Sequence, residues 1–103
     1  MQEVNPRQTV RRSKLETYFE IVEVIGKGVE KPTHIMYKAN LSWKVMQEYI
    51  KNLELRGIVN SARSEGKRSY NLTQKGFELL SKYLELKEHM KEEETLPQSI
   101  VVA

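Results

Sequence analysis

Lys44, Gln47 and Lys51 are spaced three and four residues apart, which places them along one face of any helix that carries them. Two cations and one amide on one helical face are suited to reading nucleic acid. A lysine meets phosphates or guanine edges, and a glutamine is suited to an adenine edge. Ser42, just before them, can hold a phosphate with its hydroxyl at a helix N-terminus. Trp43 has two readings: packing against the preceding helix, or contact with a backbone sugar or thymine methyl. Glu48 repels phosphates, so it reads a cytosine amine or points aside.

Two further basic groups accompany this face. Arg63, Lys67 and Arg68 flank a Glu65-Gly66 turn, where a hairpin tip can reach a minor groove or its phosphates, or simply be solvated. Arg7, Arg11, Arg12 and Lys14 make the N-terminus a minor-groove reader or a polybasic tail that adds affinity. Lys31 and Lys38 are secondary phosphate candidates.

Other chemistries have little to work with. The 103 residues contain no cysteine, which removes disulfides, thiolate zinc sites and thiol catalysis. All 14 acidic residues are glutamates, and the two histidines, His34 and His89, fall on different predicted helices. No metal, cofactor, small-molecule substrate or catalytic group is expected. No apolar run approaches the roughly 20 residues of a membrane span, and no signal-peptide core is visible, so a cytoplasmic, nucleoid-associated protein is expected. Net charge is +3, unevenly divided: residues 1–72 carry 13 Lys and Arg against 8 Glu, residues 73–103 only 4 Lys against 6 Glu. The front of the chain is the part that meets a polyanion.

The elements that position these residues follow from local pattern. After an aperiodic basic arm, 1–12, Ser13 and Glu16 form a capping box. Leu15, Tyr18, Phe19, Val22 and Ile25 then predict a helix over about 14–26, stopped by Gly26 and Gly28. Pro32-Thr33 starts a short second helix with Ile35, Met36 and Ala39 inward. Asn40 suits a left-handed C-terminal position, Leu41 plugs the core and Ser42 caps a third helix over about 43–56, so YKANLSWK reads as a tight turn between two helices. A two-residue Glu65-Gly66 loop sets a hairpin with Val59 facing Leu72, Ser61 facing Tyr70, and Arg63 facing Arg68. Like charges opposed there are unfavourable unless an anion shares them.

Thr73 caps a last helix expected to run to about Glu94, ahead of Pro97, with 95–103 as a tail. It has two apolar stripes. Phe77, Leu80 and Leu84 are expected to close the core, and Leu79, Tyr83, Leu86 and Met90, spaced 4-3-4, to form a coiled-coil dimer seam. One wide stripe buried within a monomer is the other reading.

RRSKLE, IMYKANLSW, YIKNLELRGIV and YNLTQKGFELL, in this order over about 11–90, resemble the archaeal winged-helix family of small DNA-binding proteins known from Sulfolobus as the ten-kilodalton "10a" proteins. The fold expected is mainly α with a small β-hairpin: a winged helix-turn-helix over 13–72 and a long C-terminal dimerisation helix over 73–94. The resemblance implies a homodimer joined by an antiparallel coiled coil, binding double-stranded DNA as a transcription regulator or chromatin-associated protein. The EEE at 92–94 and the LPQSIVVA tail depart from a minimal member. A winged helix used as a protein–protein module in a transcription or processing complex is the alternative.

Overall fold

The computed structural model describes residues 12–102, and the side chains of residues 12–91. The elements are α1 (Lys14–Gly26), α2 (Pro32–Ala39), α3 (Trp43–Leu55), β1 (Val59–Ser64), β2 (Lys67–Leu72) and α4 (Gln74–Val102). The arrangement is mainly helical with one antiparallel hairpin.

The first helix starts where the capping box requires. Ser13 Oγ accepts from the Glu16 amide at 3.1 Å, and the Ser13 amide donates to Glu16 Oε1 at 2.9 Å. Its inner side buries Thr17, Ile21, Val22 and Ile25. The second helix begins with Pro32 at its first position and buries Ile35 and Ala39. Asn40 adopts the left-handed conformation (φ 59°), and Leu41 N–H closes back on Met36 O at 3.0 Å. Ser42 then caps α3, accepting from Val45 N–H at 3.3 Å. The third helix buries Met46, Ile50 and Leu53 and is braced against α1 by Tyr18, whose ring meets Tyr49 edge-on at 4.5 Å. Asn52 Nδ2 donates to the Tyr18 hydroxyl at 3.0 Å.

The hairpin has the expected register, with Val59 opposite Leu72, Ser61 opposite Tyr70 and Arg63 opposite Arg68. Glu65 and Gly66 both have positive φ, as a tight hairpin turn demands. Tyr70 is buried, and its amide donates to Glu30 O at 3.0 Å, joining β2 to the α1–α2 loop.

The last helix differs from expectation in length and in rotation. It continues to Val102, past Pro97; a proline bends a helix by removing one hydrogen bond and crowding the carbonyl four residues back, but does not by itself end it. Its inward line is Gly76, Leu80, Tyr83 and Lys87 rather than Phe77, Leu80 and Leu84. Leu80 is buried, whereas Phe77 and Leu84 are 52% and 41% exposed. Tyr83 stacks flat on Phe19 at 4.4 Å, and Lys87 reaches Glu23 at 3.5 Å. Two glycines permit this setting. A Cβ on Gly26 would lie 2.5 Å from Leu80 Cδ2, and one on Gly76 2.3 Å from the Ile58 carbonyl oxygen. Gly26 therefore gives α4 room to approach, while Gly28, with φ 102°, makes the turn that follows α1.

Candidate nucleic-acid interface

The turn at 40–42 aims the start of α3 away from the core, because Met46, Ile50 and Leu53 fix the rotation of that helix from the inside. On its outer side Ser42, Lys44 and Lys51 are exposed and Gln47 is half-buried. Trp43 is 48% exposed, leaving about half of its side chain open to a partner.

Between α3 and the hairpin lies an open groove of about 330 Å³, lined among others by Gln47, Glu48, Lys51, Glu54, Arg68 and Tyr70. The fold thus brings Gln47 and Lys51 together with Arg68, although twenty and sixteen residues of chain, respectively, separate them from it. Arg68 is more firmly protonated than a free arginine, chiefly through its interaction with the Tyr70 side chain, with Glu54 adding to the effect. Arg63 and Lys67 are exposed at the hairpin end, and Arg63 faces Arg68 across the ladder. Two guanidiniums opposed in this way gain from an anion between them.

The basic arm is placed only in part. Arg11 lies outside the described residues, and Lys14 is exposed in the first turn of α1. Arg12, expected to face DNA with them, is turned inward. It pairs with Glu20 of α1 and donates to Ala39 O at 2.9 Å and to Asn40 O at 3.3 Å. The carbonyls at the C-terminus of α2 attract it more effectively than open solvent does.

A family model described as winged helix-turn-helix matches residues 11–91. The chain belongs to the winged helix-turn-helix family. It is 36% identical over 86 residues to an uncharacterized protein of Methanocaldococcus jannaschii, the match covering 84% of each chain. Among solved structures it is similar to FabT of Streptococcus pneumoniae, solved in complex with DNA, with a TM-score of 0.67 and 21% identity over 87% of this chain and 68% of that one. It is similar also to Sso10a-2, a DNA-binding protein from Sulfolobus solfataricus, with a TM-score of 0.64 and 20% identity over 86% of this chain and 96% of that one. At these identities the structural likeness shows the fold. The expected resemblance to the 10a proteins is therefore met at the level of fold, and the match to an archaeal chain at the level of sequence.

In winged helix-turn-helix terms, α2 and α3 are the helix pair and β1–β2 is the wing. One residue of this winged helix-turn-helix surface escaped the sequence reading: Tyr37, 77% exposed on α2, beside Lys31, His34 and Lys38 around an open hollow of about 540 Å³. A signal was present, since Ile35, Met36 and Ala39 occupy the inner side of so short a helix and leave Tyr37 outside. No cluster of metal-ligating side chains occurs among the described residues, and no helix among them is long and apolar enough to cross a membrane.

On α4 the seam residues separate. Leu86 and Met90 are 59% and 50% exposed, and Leu79 is half-buried. Tyr83 packs on α1. Leu15, 64% exposed, lies beside Leu79 around an apolar cavity of about 310 Å³ that also meets Tyr18, Phe19, Val22 and Leu53. The exposed apolar surface of α4 thus continues onto α1.

Proposed function

We propose that this chain is a dimeric winged helix-turn-helix DNA-binding protein, a transcription regulator or chromatin-associated protein that acts by binding and not by catalysis. Helix α3 lies in the major groove of double-stranded DNA, with Ser42, Trp43, Lys44, Gln47 and Lys51 toward the duplex. Arg63, Lys67 and Arg68 of the wing lie on the adjacent backbone or minor groove. Arg11 and Lys14 add phosphate contacts from the arm. The observation that carries this reading is the groove between α3 and the wing, where Gln47, an uncharged side chain suited to base edges, shares the lining with the cations Lys51 and Arg68 and with Glu48 and Glu54. The DNA named with FabT and Sso10a-2 supports it.

Dimerisation uses the exposed side of α4, with Leu79, Leu86 and Met90 as its apolar contacts and Tyr83 at the margin. Apolar side chains left in water over this length are a liability that a second copy removes. Two winged domains double the phosphate contacts and can address two half-sites.

The test is binding to random-sequence duplex DNA across several salt concentrations. Log affinity should fall linearly with log salt, and Lys44→Ala and Arg68→Ala should each lower the slope by about 0.9 with the fold intact. Unchanged affinity and slope in both variants would remove α3 and the wing from the interface.

A further inference from the structure

Helix α2 has eight residues, too few to be stable alone, and the direction of α3 depends on how α2 ends. That end is held by hydrogen bonds of two origins. Asn40 N–H donates to Tyr37 O at 3.2 Å and Leu41 N–H to Met36 O at 3.0 Å, both within the turn. The carbonyls of Ala39 and Asn40, at the very end of the helix, both accept from Arg12, 27 and 28 residues away in sequence. The same guanidinium pairs with Glu20, in the middle of α1, between Phe19, which stacks on Tyr83, and the fully buried Ile21.

We propose that Arg12 is a positioning residue for the recognition helix: anchored on Glu20, it locks the α2–α3 turn through the Ala39 and Asn40 carbonyls. This rests on the reading of the domain as a DNA binder. A planar fork of donors can span two carbonyls and a carboxylate at once, whereas an ammonium acts as a single point charge. Its cationic charge also lies where the negative end of α2 favours it. A recognition surface has to be held to within roughly 0.5 Å of its productive geometry, and the turn is where that tolerance is set for α3. Arg12 therefore acts on DNA through the angle of α3 and not through a phosphate.

Arginine next to a basic arm invites the opposite assignment, and charge separates the two. A phosphate-contacting arginine is replaced in large part by lysine, and deleting a nearby glutamate strengthens binding to a polyanion. A lock shows the reverse on both counts. The experiment uses the full chain as wild type, Arg12→Ala, Arg12→Lys and Glu20→Gln, at a temperature where circular dichroism shows all four folded. Two quantities are read: amide hydrogen exchange at Asn40 and Leu41 relative to Ile21, and duplex affinity across a salt series.

The lock requires exchange at Asn40 and Leu41 to become about tenfold faster in every variant, with Ile21 unchanged, as expected for loss of hydrogen bonds to a charged group. Affinity should fall by a similar factor in Arg12→Lys with the wild-type salt slope. It should fall also in Glu20→Gln, although that variant is more positive by one charge. A residue that serves stability alone leaves the affinity of the folded protein unmoved. Wild-type affinity in Arg12→Lys, tighter binding in Glu20→Gln, or unaltered exchange at the turn overturns the proposal. If the wild type binds no duplex at any salt, the DNA-binding reading falls, and exchange at the turn alone decides the lock.

Discussion

Replacing Gly76 by alanine tests the packing of α4 through the sign of the effect. Gly76 is the third residue of α4, and helix propensity alone predicts a gain of up to about 1 kcal/mol for alanine there. The added methyl, however, would stand 2.3 Å from the Ile58 carbonyl oxygen and 3.2 Å from Leu72 Cβ. Ile58 O cannot retreat easily, since it accepts the Thr73 amide at 3.0 Å. Overpacking against a fixed group costs about 1–3 kcal/mol, and a backbone oxygen approached this closely belongs at the upper end of that range. The net expectation is a loss of about 1–2 kcal/mol, or a fall in melting temperature of roughly 4–15 °C for a domain of this size. Urea and thermal unfolding followed by circular dichroism measure it, with the urea slope showing whether the transition remains two-state. A Gly76→Ala protein as stable as the wild type, or more so, would mean that α4 does not approach the Ile58 carbonyl as described. The rotation of α4 that exposes Leu86 and Met90 would then lose its support.

Two further substitutions address specificity and assembly. Gln47→Ala should change which sequences are selected from a random pool more than it changes non-specific affinity, because a good base contact discriminates by about 1–3 kcal/mol; a wild type that selects no motif refutes this and marks an architectural protein. Leu86→Glu should give a folded monomer that binds DNA more weakly, read by analytical ultracentrifugation beside circular dichroism, since each buried leucine contributes about 1.5–3 kcal/mol and twofold symmetry uses it twice. A dimeric variant, or a wild type already monomeric at micromolar concentration, would assign that stripe to the monomer.

What was legible in the residues was local chemistry. A two-residue Glu-Gly loop determines a hairpin register by itself, so Arg63 could be placed opposite Arg68 without the fold. The break in YKANLSWK was legible for the same reason: asparagine at a left-handed position and serine as a cap are both local events. The rotation of α4 was not, because two stripes of similar apolar character compete for the core. The inward line takes Leu80 from one and Tyr83 from the other, and only the folded positions of Phe19, Gly26 and the Ile58 carbonyl show why. Tyr83 therefore looked like a seam residue and proved to be a partner of Phe19. The intramolecular partners of Arg12 were hidden for a kindred reason. Its type and its place in a basic run point to DNA, and only the folded position of Glu20 and of the α2 carbonyls turns it inward.

The junction between the hairpin and α4 has a mechanical consequence. One residue, Thr73, separates Leu72 of β2 from Gln74 of α4. Its hydroxyl donates to Gly57 O at 2.6 Å and accepts from the Gly76 amide at 3.0 Å. Strand, helix and the exit of α3 therefore meet at a single pinned joint with no slack. With a single connecting residue hydrogen-bonded on both sides, the direction in which the 29-residue α4 leaves the domain is tied to the setting of the hairpin, and neither can be re-aimed without breaking the Thr73 contacts.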